Sequence, residues 1–566
     1  MRRINILFIL FYFVLTSHAQ SIVCNTQTPK HEVRAVWLTT IGGIDWPHSY
    51  AQSSRSIDKQ KMELIHILDR LQEAHINTVL LQTRIRGTMI YPSQYEPWDG
   101  CLSGFPGKSP GYDALQFAID ECHKRGMELH AWVVTIPMGK WNGLGCQSLH
   151  KRFPKMVCKI EGDGYMNPEM PQTATYLANI CREITHRYDV DGIHLDYIRY
   201  PETWKKIGNL DKARQNITRI VEKIHEAVKG EKPWVKLSCS PIGKFDDLSR
   251  YWSHGWNAYT KVAQDAQGWL RNGLMDELFP MMYFRGDQFY PFAIDWQENS
   301  DVKIIAPGLG IYFLDPKEGK WNIQDVTAEM FHLRNIGQGH AFFRCKFLLD
   351  NHQGIYDFVT NTFNLYPALV PPMSWLSHKK PLPPTGLVVS SKEEATILSW
   401  TNTNRYEDNT QPRYIYNNVY ASHEYPVDTQ DAKNLICPRK IGNKLQLGPL
   451  DDSSLYFAIT SMDEYGNESE PCQMDAQHIK NTSMGRQGKA KLLKIHDEYV
   501  ELPISITQTD VKYILVRSLQ NQPIYITRPK NMKISIKNIK DGVYTLNCVT
   551  HKNIEHTIGT IFKKSY

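Results

Sequence analysis

Beyond its first fifteen residues the sequence has no apolar run approaching the roughly 20 residues that a membrane-crossing helix requires, so no transmembrane span is expected. It also lacks an excess of one charge: 65 basic against 59 acidic residues leave +6 over 566 residues. The basic side chains are scattered, which argues against a nucleic-acid partner. No Cys/His spacing of the zinc-binding kind occurs, and no metal and no cofactor are expected. The eleven cysteines form no even framework. Cys122, Cys181, Cys239 and Cys345 fall in helix or strand patterns and read as small core residues. Cys101, Cys146 and Cys158 fall in loops, where an exported protein can form a bridge.

The N-terminus has the form of a signal peptide over residues 1–19. Arg2-Arg3 supply the positive end, Ile6 to Leu15 the apolar run and Ser17-His18-Ala19 the small-x-small cleavage site. Export to the periplasm or outer cell envelope is the expectation. Cys24 would invite a lipid anchor, but the bulky Val23 before it stands where a small residue is wanted, so anchoring is not favoured.

At 566 residues the chain needs two to four domains. Between residues 30 and 370 strand and helix patterns alternate eight times, with strands expected at 32–40, 77–84, 128–135, 191–198, 236–243, 277–283, 304–312 and 339–347. Amphipathic runs such as 59–75, 113–125, 173–187 and 210–228 separate them, with Asp113 and Asp211 near helix starts and Gly126 a stop. Eight such units close into a parallel (β/α)8 TIM-like barrel more readily than they form an open sheet. The segments after strands two and three, 85–112 and 136–172, are long enough to build a cleft on the catalytic face. Prolines mark a stiff linker over 371–384. Short strands and turns follow, an all-β sandwich over 385–478 with Trp400 for its core. Its stretch from Leu450 to Ser469 resembles a fibronectin type III module. A second small all-β domain is expected over 489–566.

The stretch Asp191-Gly192-Ile193-His194-Leu195-Asp196-Tyr197-Ile198-Arg199-Tyr200-Pro201 holds the candidate chemistry. With a two-residue period, Gly192, His194 and Asp196 share a face opposite Ile193, Leu195 and Tyr197, as in a barrel strand whose polar file points inward. Asp196 then ends the strand at the mouth, where barrels do their chemistry. A carboxylate there can serve as nucleophile, base or cation stabiliser beside a sugar ring; the plain alternative is a loop cap, the role expected of Asp191. His194, one layer deeper, reads equally as a sugar contact and as a satisfied buried imidazole. Arg199 could pair with Asp196 and hold it ionised, or lie in a solvated loop.

Strand two ends Gln82-Thr83-Arg84, and alternation sends Arg84 into the mouth to grip hydroxyls or a carboxylate. Trp132 on strand three could stack on a sugar or fill the core. Tyr283 at the end of strand six would reach the mouth. Asp287 is the favoured partner acid over Asp45 and the Asp246-Asp247 pair, although loop aspartates more often cap turns.

Several separated motifs occur in order: Glu32 to Thr39 (EVRAVWLT), Asn77-Thr78-Val79 through Arg84, Tyr91-Pro92-Ser93 with Pro97-Trp98, His123 to Trp132 (HKRGMELHAW), and Asp191 to Pro201. Together they resemble the glycosyl hydrolase-like 10 family of bacterial envelope proteins. The resemblance implies a TIM-like barrel, hydrolysis of O-glycosidic bonds and, as substrate, peptidoglycan glycan strands stripped of stem peptides. The chain departs from the pattern at Met281, where similar stretches have Gln. Asp-Gly-Ile-x-x-Asp is also shared with chitinase-like proteins, but Ile198 stands where their acid Glu would be, so that mechanism does not transfer. An exported glycoside hydrolase is therefore expected. A non-catalytic carbohydrate-binding envelope protein with a degenerate site, and a scaffold working through its sandwiches, are the alternatives.

Overall fold

The computed structural model describes residues 28–563 apart from 205–207, 250–253, 393–394, 449–454, 474–494, 497, 503–510, 519–522, 529–532 and 551–554. The expected signal peptide and Cys24 lie outside the described residues.

All eight expected barrel strands form: β1 (Arg34–Leu38), β2 (Thr78–Ile85), β3 (Glu128–Val134), β4 (Gly192–Asp196), β5 (Lys236–Cys239), β6 (Glu277–Leu278), β7 (Ile304–Ile305, continued by Gly308–Leu309) and β8 (His340–Phe342). They pair in parallel in chain order, and β8 pairs back onto β1 through Arg34 and His340. The first half of β7 pairs with β6 and its second half with β8, so the sheet closes on itself. Most strands are shorter than their apolar patterns. Where a segment bends into the mouth it leaves the ladder but keeps its place.

The alternation separates two cores. Val36, Leu81, Val133, Ile193, Leu195 and Leu237 pack outward under the helices, while Ala35, Trp37, Leu80, Trp132 and Phe279 fill the interior. The helical layer is cut to measure by its caps. Asp113 accepts from Gln116 N–H to start Ala114–Lys124, and Asn209 rather than Asp211 caps Leu210–Glu231, whose Ile217, Ile220, Val221, Ile224 and Val228 are buried.

The two long segments pack on each other above the barrel. That after β3 folds into a three-stranded antiparallel flap (Pro137–Lys140, Val157–Ile160, Asp163–Met166) with a helix, Leu144–Arg152. Gly145 in that helix approaches the other segment so closely that a Cβ would lie 2.3 Å from Arg86 O and 2.4 Å from Gly87 O.

Two β units follow the barrel. The first has a three-stranded sheet (Thr385–Lys392, Ala395–Thr401, Lys444–Leu447) facing a four-stranded one (Leu435–Ile441, Tyr416–Ser422, Tyr456–Met462, Cys472–Gln473). Leu398, Trp400, Val419, Phe457 and Ile459 form its core. The second, within 495–563, has sheets of three and four antiparallel strands around Val500, Ile514, Val516, Ile534 and Leu546. The proline-rich stretch between barrel and first sandwich is packed rather than free: Met373 N–H donates to Tyr465 O, and Trp375 Nε1 donates to Asp276 Oδ1 at 3.0 Å.

That sandwich docks under the barrel. Arg439 from Leu435–Ile441 is buried and places Nη2 2.6 Å from Asp191 Oδ1 at the start of β4. Asp191 Oδ2 accepts from His123 Nε2 and Leu129 N–H, both at 2.8 Å. Burial pushes the Asp191 acid up, but Arg439 and His123 outweigh it and hold it well below the usual carboxylate range. Cys101, Cys146 and Cys158, the loop cysteines where a bridge was open, are instead free thiols, the first two buried. Among the described residues no helix is long and apolar enough to cross a membrane.

Candidate active site

Asp196 is the last residue of β4 and lies half-buried at the rim. Its carboxylate is held from three strands. Trp132 Nε1 on β3 donates to Oδ2 at 3.1 Å, Ser240 just past β5 donates to Oδ1 at 2.7 Å, and the next residue's own N–H, Tyr197, donates to Oδ1 at 2.8 Å. Burial pushes the Asp196 acid up, and these hydrogen bonds with the charge of Arg199 pull it down without prevailing. Of the two readings open for Arg199, neither a pair with Asp196 nor a solvated loop is seen: the guanidinium is buried and its ion pair is with Glu202.

Tyr197 bends the chain away from the strand with φ 55, in the left-handed region that a bulky residue adopts only when its surroundings enforce it. The enforcing contacts are visible. Arg199 lies 3.8 Å from the centre of the Tyr197 ring and donates from Nη2 to Glu202 Oε1 at 2.7 Å, while the Tyr197 hydroxyl donates to Glu202 Oε2. Arg199 is only 4% exposed, so it serves its neighbours and offers no face to a ligand, contrary to the binding role expected of it.

Other sequence expectations sort by depth. His194 is buried one layer below Asp196, accepting from Trp37 Nε1 at 3.2 Å and bonding Ser238 Oγ at 3.0 Å through Nδ1. Both ring nitrogens are taken, and burial, with His130 nearby, keeps the ring well below its ordinary value; it is a core histidine, not a sugar contact. Trp132 is 4% exposed within the interior cluster and presents no open ring face, so its polar edge orients Asp196 and its body fills the core.

Arg84 does not reach the mouth. In β2 Gln82 pairs with Trp132 but Arg84 pairs with Val133, a bulge of one residue that reverses the alternation. Arg84 points into the outer layer, fully buried, where Nε and Nη2 meet Glu96 at 2.8 and 2.6 Å and Nη1 meets Thr135 O at 2.8 Å. The sugar-gripping role expected of it is replaced by a structural ion pair.

Tyr283 is half-buried at the mouth, its ring 5.4 Å from Phe343 and 5.8 Å from Tyr312. Burial, then the charge of Asp196, pushes its phenol well up, so it stays a hydrogen-bond donor beside that carboxylate. Asp287 is exposed on the turn Gly286–Gln288, and no hydrogen bond or ion pair joins it to Asp196. Asp45 is buried as a loop anchor for Thr39, Arg344 and Lys346, and Asp247 caps Gly255 and Asn257.

Sequence reasoning missed Ser240, Glu202 and the aromatic pair Tyr312 and Phe343. Ser238 and Ser240 do repeat the small-and-polar alternation of β4 and could have been found that way.

A closed parallel barrel with a carboxylate fixed at its C-terminal rim is an architecture on which glycoside hydrolases are built. The model of the family Glycosyl hydrolase-like 10 matches residues 32–212 and 205–312. Glycosyl hydrolase YngK of Bacillus subtilis (strain 168) is 27% identical over 489 residues, 79% of this chain and 94% of its own. Glycosyl hydrolase DigH of Escherichia coli (strain K12) is 30% identical over 294 residues, 46% of this chain and 67% of its own. The chain belongs to the glycosyl hydrolase-like 10 family and is a glycoside hydrolase. The non-catalytic alternatives give way to that reading.

Proposed function

We propose that this glycoside hydrolase is exported and cleaves O-glycosidic bonds of a bacterial glycan, peptidoglycan glycan strands in particular, with Asp196 as its essential carboxylate. The observation that carries this is the setting of Asp196 at the rim. It is aimed by Trp132, Ser240 and the Tyr197 N–H, and burial favours its protonated form. A carboxyl whose protonated form burial favours suits the proton donor to a departing sugar oxygen. Tyr283, half-buried at the mouth, offers its phenol to a sugar hydroxyl. The export reading is supported by the form of residues 1–19, and the glycan by the family resemblance of the ordered motifs. The sandwich after the barrel, read as a fibronectin type III-like module, serves as a base for the barrel.

The test is hydrolysis of peptidoglycan glycan strands freed of stem peptides, followed as new reducing ends over time. Folded Asp196→Asn should lose activity by several orders of magnitude; turnover at the wild-type rate in that variant sinks the assignment.

A further inference from the structure

Among the described residues no hydrogen bond or ion pair ties a second carboxylate, Asp287 included, directly to Asp196. Hydrolysis of a glycosidic bond needs one group to give a proton to the leaving oxygen and another, ionised, to serve the incoming water or the anomeric carbon. The second must be accessible, must be held still, and must sit among donors that keep it charged.

Glu202 meets these conditions through contacts on the same loop. The turn that carries Asp196 continues into Tyr197, whose backbone N–H bonds Asp196 Oδ1 at 2.8 Å and whose hydroxyl donates to Glu202 Oε2. Arg199 closes the triangle, stacked on the Tyr197 ring at 3.8 Å and donating to Glu202 Oε1 at 2.7 Å. The Tyr197 ring itself packs against the interior cluster that includes Trp132 and Phe279, and the assembly follows directly on Asp196, the last residue of β4. The Glu202 side chain is 43% exposed, whereas the Arg199 side chain that fixes it is 5% exposed, so the acid is open to a ligand and its support is not. One phenol and one guanidinium each take one oxygen, the arrangement that orients a carboxylate and leaves lone pairs free.

We propose that Glu202 is the second carboxylate of the reaction, the base that receives the proton of the attacking water. This rests on the reading of Asp196 as proton donor. In the step, Asp196 gives its proton to the glycosidic oxygen as the bond from that oxygen to the anomeric carbon breaks. The water oxygen forms the new bond to that carbon, and its proton passes to Glu202. One water is consumed; Glu202 then returns a proton to solvent and Asp196 takes one back. The electrostatics agree with the division of labour. Burial would push the Glu202 acid up, but the Arg199 hydrogen bond and charge, with the Tyr197 hydroxyl, pull it below its ordinary value, while Asp196 is displaced upward. Two carboxyls pushed in opposite directions are the pattern of an acid paired with a base.

The experiment compares E202A, E202Q and D196N on peptide-free peptidoglycan glycan strands, with circular dichroism to confirm folding. E202A should lower kcat about 10²- to 10⁴-fold with a much smaller change in KM, and sodium azide should restore turnover as a glycosyl azide. E202Q, which keeps a partner for Arg199, should lose the acid-side fall of the kcat/KM profile. Retention of more than about a tenth of wild-type kcat in E202A overturns the proposal. So does loss of kcat with no azide rescue and an acid limb unchanged in E202Q, which makes Glu202 only a prop for Tyr197. If E202A does not fold, the E202Q profile decides alone. Wild-type turnover in D196N removes the Asp196 reading and this one together; an inactive D196N beside an active E202A removes Glu202 only.

Discussion

The indole Nε1 of Trp132 lies 3.1 Å from Asp196 Oδ2, so the tryptophan that alternation aims into the barrel spends its polar edge on the carboxylate beside it. Its ring body is held by the interior core, and the donor is fixed in direction. Trp132→Phe keeps most of the volume and deletes the donor. A hydrogen bond to a neutral carboxyl contributes about 0.5–1.5 kcal/mol, so kcat should fall about twofold to tenfold. Steady-state kinetics with a thermal melt check this; a variant with unchanged kcat and a lowered Tm would show that the indole only packs.

Arg84 and Glu96 form a buried pair that exposes neither side chain to a ligand. Removing one charge strands the other, so Arg84→Met should cost about 3–5 kcal/mol of stability, and Arg84→Met with Glu96→Leu should cost clearly less than either change alone. Urea denaturation measures this. KM of whatever folded enzyme remains should stay at the wild-type value, whereas a sugar-binding Arg84 would raise it.

Glu277 is 1% exposed on the barrel floor with His130 Nδ1 3.9 Å away, and neither of its oxygens has a hydrogen-bond partner among the described residues. Burial pushes its acid from 4.5 to about 7, against the pull of His130 and Lys236. A raised carboxyl holds in the fold a proton that the unfolded chain has released. Its contribution to stability is therefore complete below the ordinary value and is lost as pH rises through about 7. Glu277→Gln should remove that loss, gaining on the order of 3 kcal/mol over the wild type at pH 8 relative to pH 4. Denaturation curves at the two pH values decide, and an equal gap at both excludes the titration.

Arg439 and Asp191 join the sandwich to the barrel at 2.6 Å. Arg439→Met leaves Asp191 buried with only His123 for counter-charge, and should lower stability by about 3–5 kcal/mol. A urea midpoint unchanged from wild type would show that water replaces the arginine. Asp191 is held low, so its share of stability is present above the ordinary carboxylate value and is lost as pH falls through the lower folded value. The wild type should therefore lose its advantage over Arg439→Met in acid.

The barrel was legible because eight apolar segments and the helices between them repeat one unit, and the period of two placed Asp196 at the rim correctly. The same rule misplaced Arg84, because one extra residue near Thr83 inverts every side chain after it and leaves no local mark. For Trp132 and His194 parity gave direction but not depth; whether an inward ring is wet or dry depends on what Trp37 and Phe279, from distant segments, leave uncovered. Glu202 was passed over because it follows Pro201 in a segment without periodicity. The aromatic, cation and acid at Tyr197, Arg199 and Glu202 were a signal of sorts, readable only once Tyr197 is seen to turn left-handed. The docking of Arg439 on Asp191 joins positions 248 apart in the chain, beyond any pattern rule.

Sandwich modules behind catalytic barrels are commonly treated as interchangeable beads. Here the bead plugs into the foot of the same strand whose tip bears Asp196. A foreign module grafted after the prolines would have to bring its own guanidinium to that spot, and a gene trimmed there would yield a barrel standing on an uncovered acid.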